Sequence, residues 1–274
     1  MAIETVKAWP ADKGLAVMVT VMFETWPDGK SPPYSPMASP LREGVVDLQG
    51  ISWAEYGGET GVWRIAEILD KFGIKATFAT NARAVERYPA AIQALCNAGH
   101  EIAGHSYTQD MILAYMDEAK ELEVIKQCTG IIGDAIGKAP VGWASPRMTP
   151  SPRTADILAA HGYRWHGDYN NTDLPYVVDT RNGQLVALMH SDFTDNRVMR
   201  GSPRMFFELY RDTFDFLVGT GKPEIINLTL HTHFGGRPPL AAMLTKIFEH
   251  FAAVDGVWYP RHDEVADWTF AQST

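Results

Sequence analysis

Short apolar runs and amphipathic stretches succeed one another along almost the whole chain. LAVMVTVMF at 15–23 is a continuous apolar run of strand length. A segment rich in Pro and Gly fills 26–60 and predicts a long loop. Beyond it Val62, Ile65, Ala66, Leu69 and Phe72 recur at helical spacing, Gly73 ends the helix, and KATFAT follows as a strand. The next helix begins at Pro89, carries Ile92, Leu95 and Cys96 on one face, stops at Gly99 and leads into HEIAGH. The same grammar places helices near 116–129 before VGWAS, near 152–160 before YRWHGD, over 203–217 before EIINLTLH, and over 239–254 before VWYP. About seven strand–helix alternations predict an α/β protein whose largely parallel sheet is covered by helices. No Gly/Ser linker, charge block or internal repeat divides the chain, so 1–274 reads as a single domain.

Alternation alone permits an open doubly wound sheet or a barrel. The polar residues discriminate, because Glu24, Asn81, His105, Arg147, Asp168 and His231 each fall at or just past the C-terminal end of a different predicted strand. Barrels build their sites there. In an open sheet with strands about 4.8 Å apart, six such ends would spread over roughly 25 Å and could not meet one small substrate. A distorted (β/α) barrel is therefore expected. One or two of the six are expected only to cap strands or hold loops.

Composition narrows the partners. The net charge of -9 disfavours nucleic acid and anionic membrane surfaces, and the run at 15–23 is too short to span a bilayer. With no basic segment, apolar stretch and small-residue cleavage site at the N-terminus, a cytoplasmic protein is expected. The two cysteines, Cys96 and Cys128, lie in helical patterns without CxxC spacing and read as free thiols.

Glu24, after an apolar strand, is placed to take a proton from water or to bind a cation. His105 closes HEIAGH; four residues on, where a second imidazole would complete a metal clip, stands Gln109. In LHTHFGGRPP, His231 and His233 are two apart on a predicted strand and so share one side of the sheet. Either can act as a general acid near neutral pH, the other bonding loops. Arg147, held among prolines, suits a carboxylate, of substrate or of a neighbouring acid.

AEYGGETGVWRIAEILDKFGIKATFATN (54–81), AGHEIAGHS (98–106), GWASPRMTPSPRT (142–154), DYNNTDLPY (168–176) and the run from LHTHFGGRPP to DEVADW (230–268) together resemble the polysaccharide deacetylase, or NodB-homology, family. The likeness is greater to its allantoinase-like and cyclic-imide-hydrolase-like branch. The ordered set is more specific than any one motif. The resemblance implies a NodB-type (β/α) barrel, amide C–N hydrolysis and a homo-oligomer. It carries Glu24 onto the acidic motif, His105 onto the first histidine of the metal pair, Arg147 onto the arginine motif and His231 onto the catalytic histidine. Glu55 and Tyr56 match the EYG pair lying over the pocket. The departures are Gln109 for the second histidine, Thr25 for a second acid, and Glu59 for a basic residue.

A neutral amide oxygen is a poor zinc ligand, and losing one of three ligands weakens binding severely. The expectation is an enzyme that requires no metal, the alternative a weakly held divalent ion such as zinc on His105 and Glu24. In the expected reaction on a small amide or cyclic imide, Glu24 activates water and His105 or Gln109 bonds the oxyanion. His231 protonates the departing nitrogen, and Arg147 holds a carboxylate or orients Glu24. Glu55, Tyr56, Asn81, Gln109, Asp168 and His233 are expected around the substrate. Two alternatives are a metal-dependent carbohydrate N-deacetylase and a non-catalytic binding barrel.

Overall fold

The computed structural model describes residues 3–35, 41–42, 44–191, 193–198 and 201–273. Nine strands form one sheet: β1 (Leu15–Phe23), β2 (Thr77–Thr80), β3 (Glu101–Gly104), β4 (Gly142–Trp143), β5 (Trp165–His166), β6 (Tyr176–Thr180), β7 (Gly183–Ala187), β8 (Glu224–His231) and β9 (Val257–Trp258). Their order is β6-β7-β5-β4-β3-β2-β1-β8, with β9 also pairing β1. Every pairing is parallel except the β6–β7 hairpin. Among the described residues no ladder joins β6 to β8, so the sheet is a curled half-barrel. The sequence pattern misses β6 and β7, which are half-exposed and short of apolar alternation.

The helices, in chain order, are α1 (Leu48–Tyr56), α2 (Val62–Lys71), α3 (Ala82–Arg87), α4 (Pro89–Asn97), α5 (Glu118–Ile136), α6 (Thr154–Ala160), α7 (Asp195–Val198), α8 (Arg204–Val218), α9 (Thr232–Gly235), α10 (Pro238–Phe251) and α11 (His262–Gln272). Helices α1, α3, α7, α9 and α11 have no counterpart among those the pattern predicts, and α5 overruns its expected end. The expected loop over 26–60 contains α1, capped by the Asp47 side chain, which runs through a π-helical turn, Gly57–Gly61, into α2. The helix near 116–129 reaches Ile136 because Asp117 caps its start and the next positive-φ residue able to end it is Gly137.

β1 is buried at all nine positions, on both faces. Leu15, Val17, Val19, Val21 and Phe23 join the main core with α2, α4, α8 and α10, whereas Ala16, Met18 and Met22 enter other clusters on the concave side. The same parity divides β8, where Ile226, Leu228 and Leu230 pack outward. Inside, Asn227 and His262 both bond Thr20, so the barrel interior holds a polar network below its mouth. No helix among the described residues is long and apolar enough to cross a membrane.

Candidate active site

Parity along β1 carries Glu24 onto the concave face, one residue past the strand end. The ladders align Phe23 with Thr80 and Thr80 with Gly104, so Glu24, Asn81 and His105 follow in a row across three strands. On the other side Met22 pairs with His231. An acid from the start of the chain thereby meets imidazoles from its middle and its end. Glu24 Oε1 lies 3.6 Å from His105 Nε2 and 3.7 Å from His231 Nε2, and Oε2 lies 3.8 Å from His233 Nε2. The Tyr34 hydroxyl approaches Oε2 at 3.4 Å. Burial alone would raise the Glu24 carboxyl, but the imidazoles of His231, His105 and His233 outweigh it and hold it at about 2.

His231 is oriented by a residue that the sequence pattern does not single out. Asp195, fully buried, accepts from the His231 backbone N at 2.8 Å and from Nδ1 at 2.6 Å. A proton on Nδ1 leaves Nε2 to face Glu24. Desolvation opposes protonation of this ring, yet Asp195 and Glu24 prevail and raise it to about 9. Near neutral pH Nε2 therefore carries a proton it can give away. Asp195 follows the missed hairpin, where no strand end is expected, and so nothing in the pattern places it at the mouth.

The His105 ring is fixed in the same sense, but by a neutral partner. Its Nδ1 lies 2.6 Å from the Ala144 carbonyl, which can only accept, so in the neutral ring the lone pair is on Nε2. In that tautomer His105 accepts from water and cannot supply the expected oxyanion donor; the Gln109 amide and the Tyr34 hydroxyl can. Crowding around its hydroxyl and the Glu24 carboxylate beside it raise Tyr34 above the ordinary phenol range and keep it a donor, although the residue as a whole is 42% exposed.

A cavity of about 340 Å³ opens over this cluster, lined by Glu24, Tyr34, His105, Gln109, Arg147 and His231 among others. Arg147 stands exposed at its edge, in a turn where it and Met148 both have positive φ, 57° and 53°. It makes no ion pair with Glu24 within 4 Å among the described residues, so the expectation that it orients Glu24 has no contact behind it. Four further expected contacts belong to the frame. Asn81 Oδ1 accepts from the Thr25 backbone, and its amide donates to the His105 carbonyl. Asp168 accepts from Ser145 N and Oγ, both at 2.7 Å, and so holds the loop leading to Arg147. Tyr56 donates to the Gly236 carbonyl and receives Arg64, away from this cavity. His233 is not on a strand, because helical turn α9 begins at Thr232. It is buried behind Glu24 between Trp26 and Trp53 and held neutral, at about 3, by desolvation. Glu55 pairs with Arg87 and lines a neighbouring cavity of about 240 Å³ that shares Glu24 with the first.

The fit of a metal can be tested on the same atoms. Thr25 Oγ1, His105 Nε2 and Gln109 Oε1 are buried without hydrogen-bond partners. They are a hydroxyl, an imidazole and an amide, all neutral, and no group of three His, Cys, Asp or Glu among the described residues is arranged to hold a metal ion. Zinc sites draw on thiolate, imidazole and carboxylate, and the one carboxylate here is shared by three imidazoles. This donor set is a poor match for resident zinc.

The geometry gathers one carboxylate and three imidazoles at the mouth of a curled half-barrel. The polysaccharide deacetylase family model matches residues 54–166. A peptidoglycan deacetylase of Helicobacter pylori is 24% identical over 253 residues, covering 79% of this chain and 86% of that protein. A probable polysaccharide deacetylase from Pseudomonas aeruginosa PAO1 superposes with a TM-score of 0.84 at 28% identity, over 94% of this chain and 92% of its own. An allantoinase superposes with a TM-score of 0.86 at 28% identity, over 96% and 92%. The chain thus carries a polysaccharide deacetylase match over 54–166 and is similar along most of its length to deacetylases and to an allantoinase, enzymes that hydrolyse C–N bonds.

Proposed function

We propose that the protein hydrolyses a C–N bond in a small amide or cyclic imide by acid–base catalysis without a resident metal. The observation that carries this reading is the juxtaposition of two oppositely charged groups on one cavity, Glu24 held ionised and His231 held protonated, their atoms 3.7 Å apart. Near neutral pH this is a carboxylate able to accept a proton and an imidazolium able to donate one.

In this reading the attacking water donates one hydrogen to Glu24 and the other to the His105 Nε2 lone pair. The water oxygen adds to the substrate carbonyl carbon while its proton passes to Glu24. The carbonyl oxygen gains negative charge opposite the Gln109 amide and the Tyr34 hydroxyl. As the C–N bond breaks, its electron pair stays on nitrogen, which takes the proton from His231 Nε2. The Glu24 proton then restores His231. The neutral donor set of Thr25, His105 and Gln109 favours this route over metal-assisted deacetylation. A cytoplasmic location and assembly into a homo-oligomer belong to the same proposal.

The test is a panel of cyclic imides, ureides and N-acetyl sugars with the native protein and Glu24→Gln. Hydrolysis of a small imide or ureide that persists after chelation, and falls at least about 100-fold in Glu24→Gln, is expected. Stoichiometric zinc in the native protein whose removal abolishes turnover would sink the metal-free route.

A further inference from the structure

The cavity over Glu24 differs in charge from the molecule around it. The chain carries a net -9, yet the described cavity wall has one carboxylate, Glu24, and two guanidiniums, Arg147 and Arg197. Glu24 is already engaged by three imidazoles. Neither arginine has an ion-pair or side-chain hydrogen-bond partner among the described residues, whereas Arg83, Arg87, Arg153, Arg164 and Arg261 all do. Their fields are felt from two sides of the space. Arg147 acts on Tyr34, whose hydroxyl touches Glu24, and Arg197 acts on His190, a third wall. His190 is held neutral, at about 3, by burial and by surrounding cations, so it adds a polar ring without another charge.

An unpaired guanidinium on a cavity wall is a fork of N–H donors matched to a planar carboxylate. Two of them reach the cavity from separate elements, the turn after β4 and helix α7. The backbone at Arg147 adopts a φ of 57°, an unfavourable conformation for a residue with a side chain, of a kind that clusters at ligand clamps. The volume of about 340 Å³ lies at the small end of ligand pockets, which suits a compact acid better than a polymer segment.

We infer that Arg147 and Arg197 form a carboxylate clamp, and that the substrate is a small amide, imide or ureide bearing a carboxylate beyond its scissile C–N bond. This rests on the proposed hydrolysis for the identity of the reacting bond, but the clamp is defined by binding alone. The carboxylate can come from a small heterocyclic acid or from a sugar acid. Two matched pairs separate these sources: hydantoin-5-acetate against hydantoin-5-acetamide, and N-acetylmuramate against N-acetylglucosamine.

The experiment is calorimetric titration of the native protein with all four compounds. In at least one pair the carboxylate is expected to bind about 10 to 100 times more tightly than its neutral partner, the range of a charge-assisted hydrogen bond, and the pair showing it names the source. The preference is expected to shrink toward unity in Arg197→Met and in Arg147→Met, and to survive in part in the lysine variants, which keep the charge without the fork. Arg197 is itself exposed, so Arg197→Met decides the matter if the turn at Arg147 does not tolerate change. A carboxylate that binds no better than its neutral partner in both pairs, or a preference that persists in both methionine variants, overturns the clamp. Carboxylate-selective binding with no hydrolysis would remove the proposed function and leave the clamp; hydrolysis of neutral imides without carboxylate selectivity would do the reverse.

Discussion

Asp195 controls the chemistry of a residue it does not resemble and is not near in sequence. Its two contacts with His231 fix the ring, choose the tautomer and favour the imidazolium. Asp195→Asn keeps the shape and removes the charge. The sign follows from the proposed mechanism: with His231 as the acid, turnover is lost as pH rises through its pKa, about 9 in the native protein. In Asp195→Asn this alkaline limb should move toward neutral pH and kcat should fall about 10- to 100-fold, with near-UV circular dichroism unchanged. A pH–rate profile checks it, and an alkaline limb left in place would assign the proton to another group. Of the residues at the mouth, Glu24, His105 and His231 were legible because each ends a readable strand, whereas Asp195 follows a half-exposed hairpin whose pattern is weak.

At the scale of elements, the EYGG stretch owes its composition to close packing. A Cβ on Gly61 would stand 2.0 Å from the Thr232 carbonyl oxygen, and one on Gly57 would stand 2.6 Å from Thr232 Oγ1. Gly236 returns the contact, since its Cβ would lie 2.3 Å from Gly61 Cα. The π-helical turn is thus pressed on α9, directly after His231, and leaves no room for a methyl group against backbone. Gly61→Ala should destabilise the fold by about 1–3 kcal/mol, as overpacking does, and reduce turnover beyond the loss of folded protein because α9 must shift. Urea melts alongside activity per folded molecule test this; full specific activity in the folded fraction would detach the contact from catalysis. The resemblance places Glu55 and Tyr56 over the pocket, but their structural partners are Arg87 and Gly236, and a motif cannot reveal which of its residues pack and which touch substrate.

The whole molecule buries several imidazoles in neutral form. His100 is held at about 4, and His233 and His262 at about 3, in each case chiefly by desolvation. A histidine whose folded pKa is depressed binds its proton more readily when unfolded, so stability declines as pH falls below about 6.5 and continues to decline toward the folded values. Glu24 and His231 titrate outside that window, the Glu24 contribution being lost only as pH falls from 4.5 toward about 2 and that of His231 only as pH rises from 6.5 through about 9, while Glu101, pushed up by burial to about 7, offsets only one of the imidazoles between pH 7 and 4.5. The urea midpoint should therefore drop steadily between pH 6.5 and 4. A midpoint flat over that range would mean that these rings titrate normally.

By itself the sequence determined the alternation of strands and helices, the position of an acid, an arginine and two histidines at strand ends, and the likeness to amide-hydrolysing barrels. Those features are local: apolar periodicity sets each element, and a strand end is recognisable from the few residues around it. Tertiary structure decided how the elements meet. The register aligning Phe23, Thr80 and Gly104 turns three distant sequence positions into neighbours, and the course of the chain between β7 and α8 brings Asp195 under His231 and Arg197 to the cavity wall. Whether a polar side chain faces substrate or bonds a neighbouring backbone, as Asn81 and Asp168 do, depends on partners tens of residues away, and a pKa depends on the charges and solvent that folding places around the group.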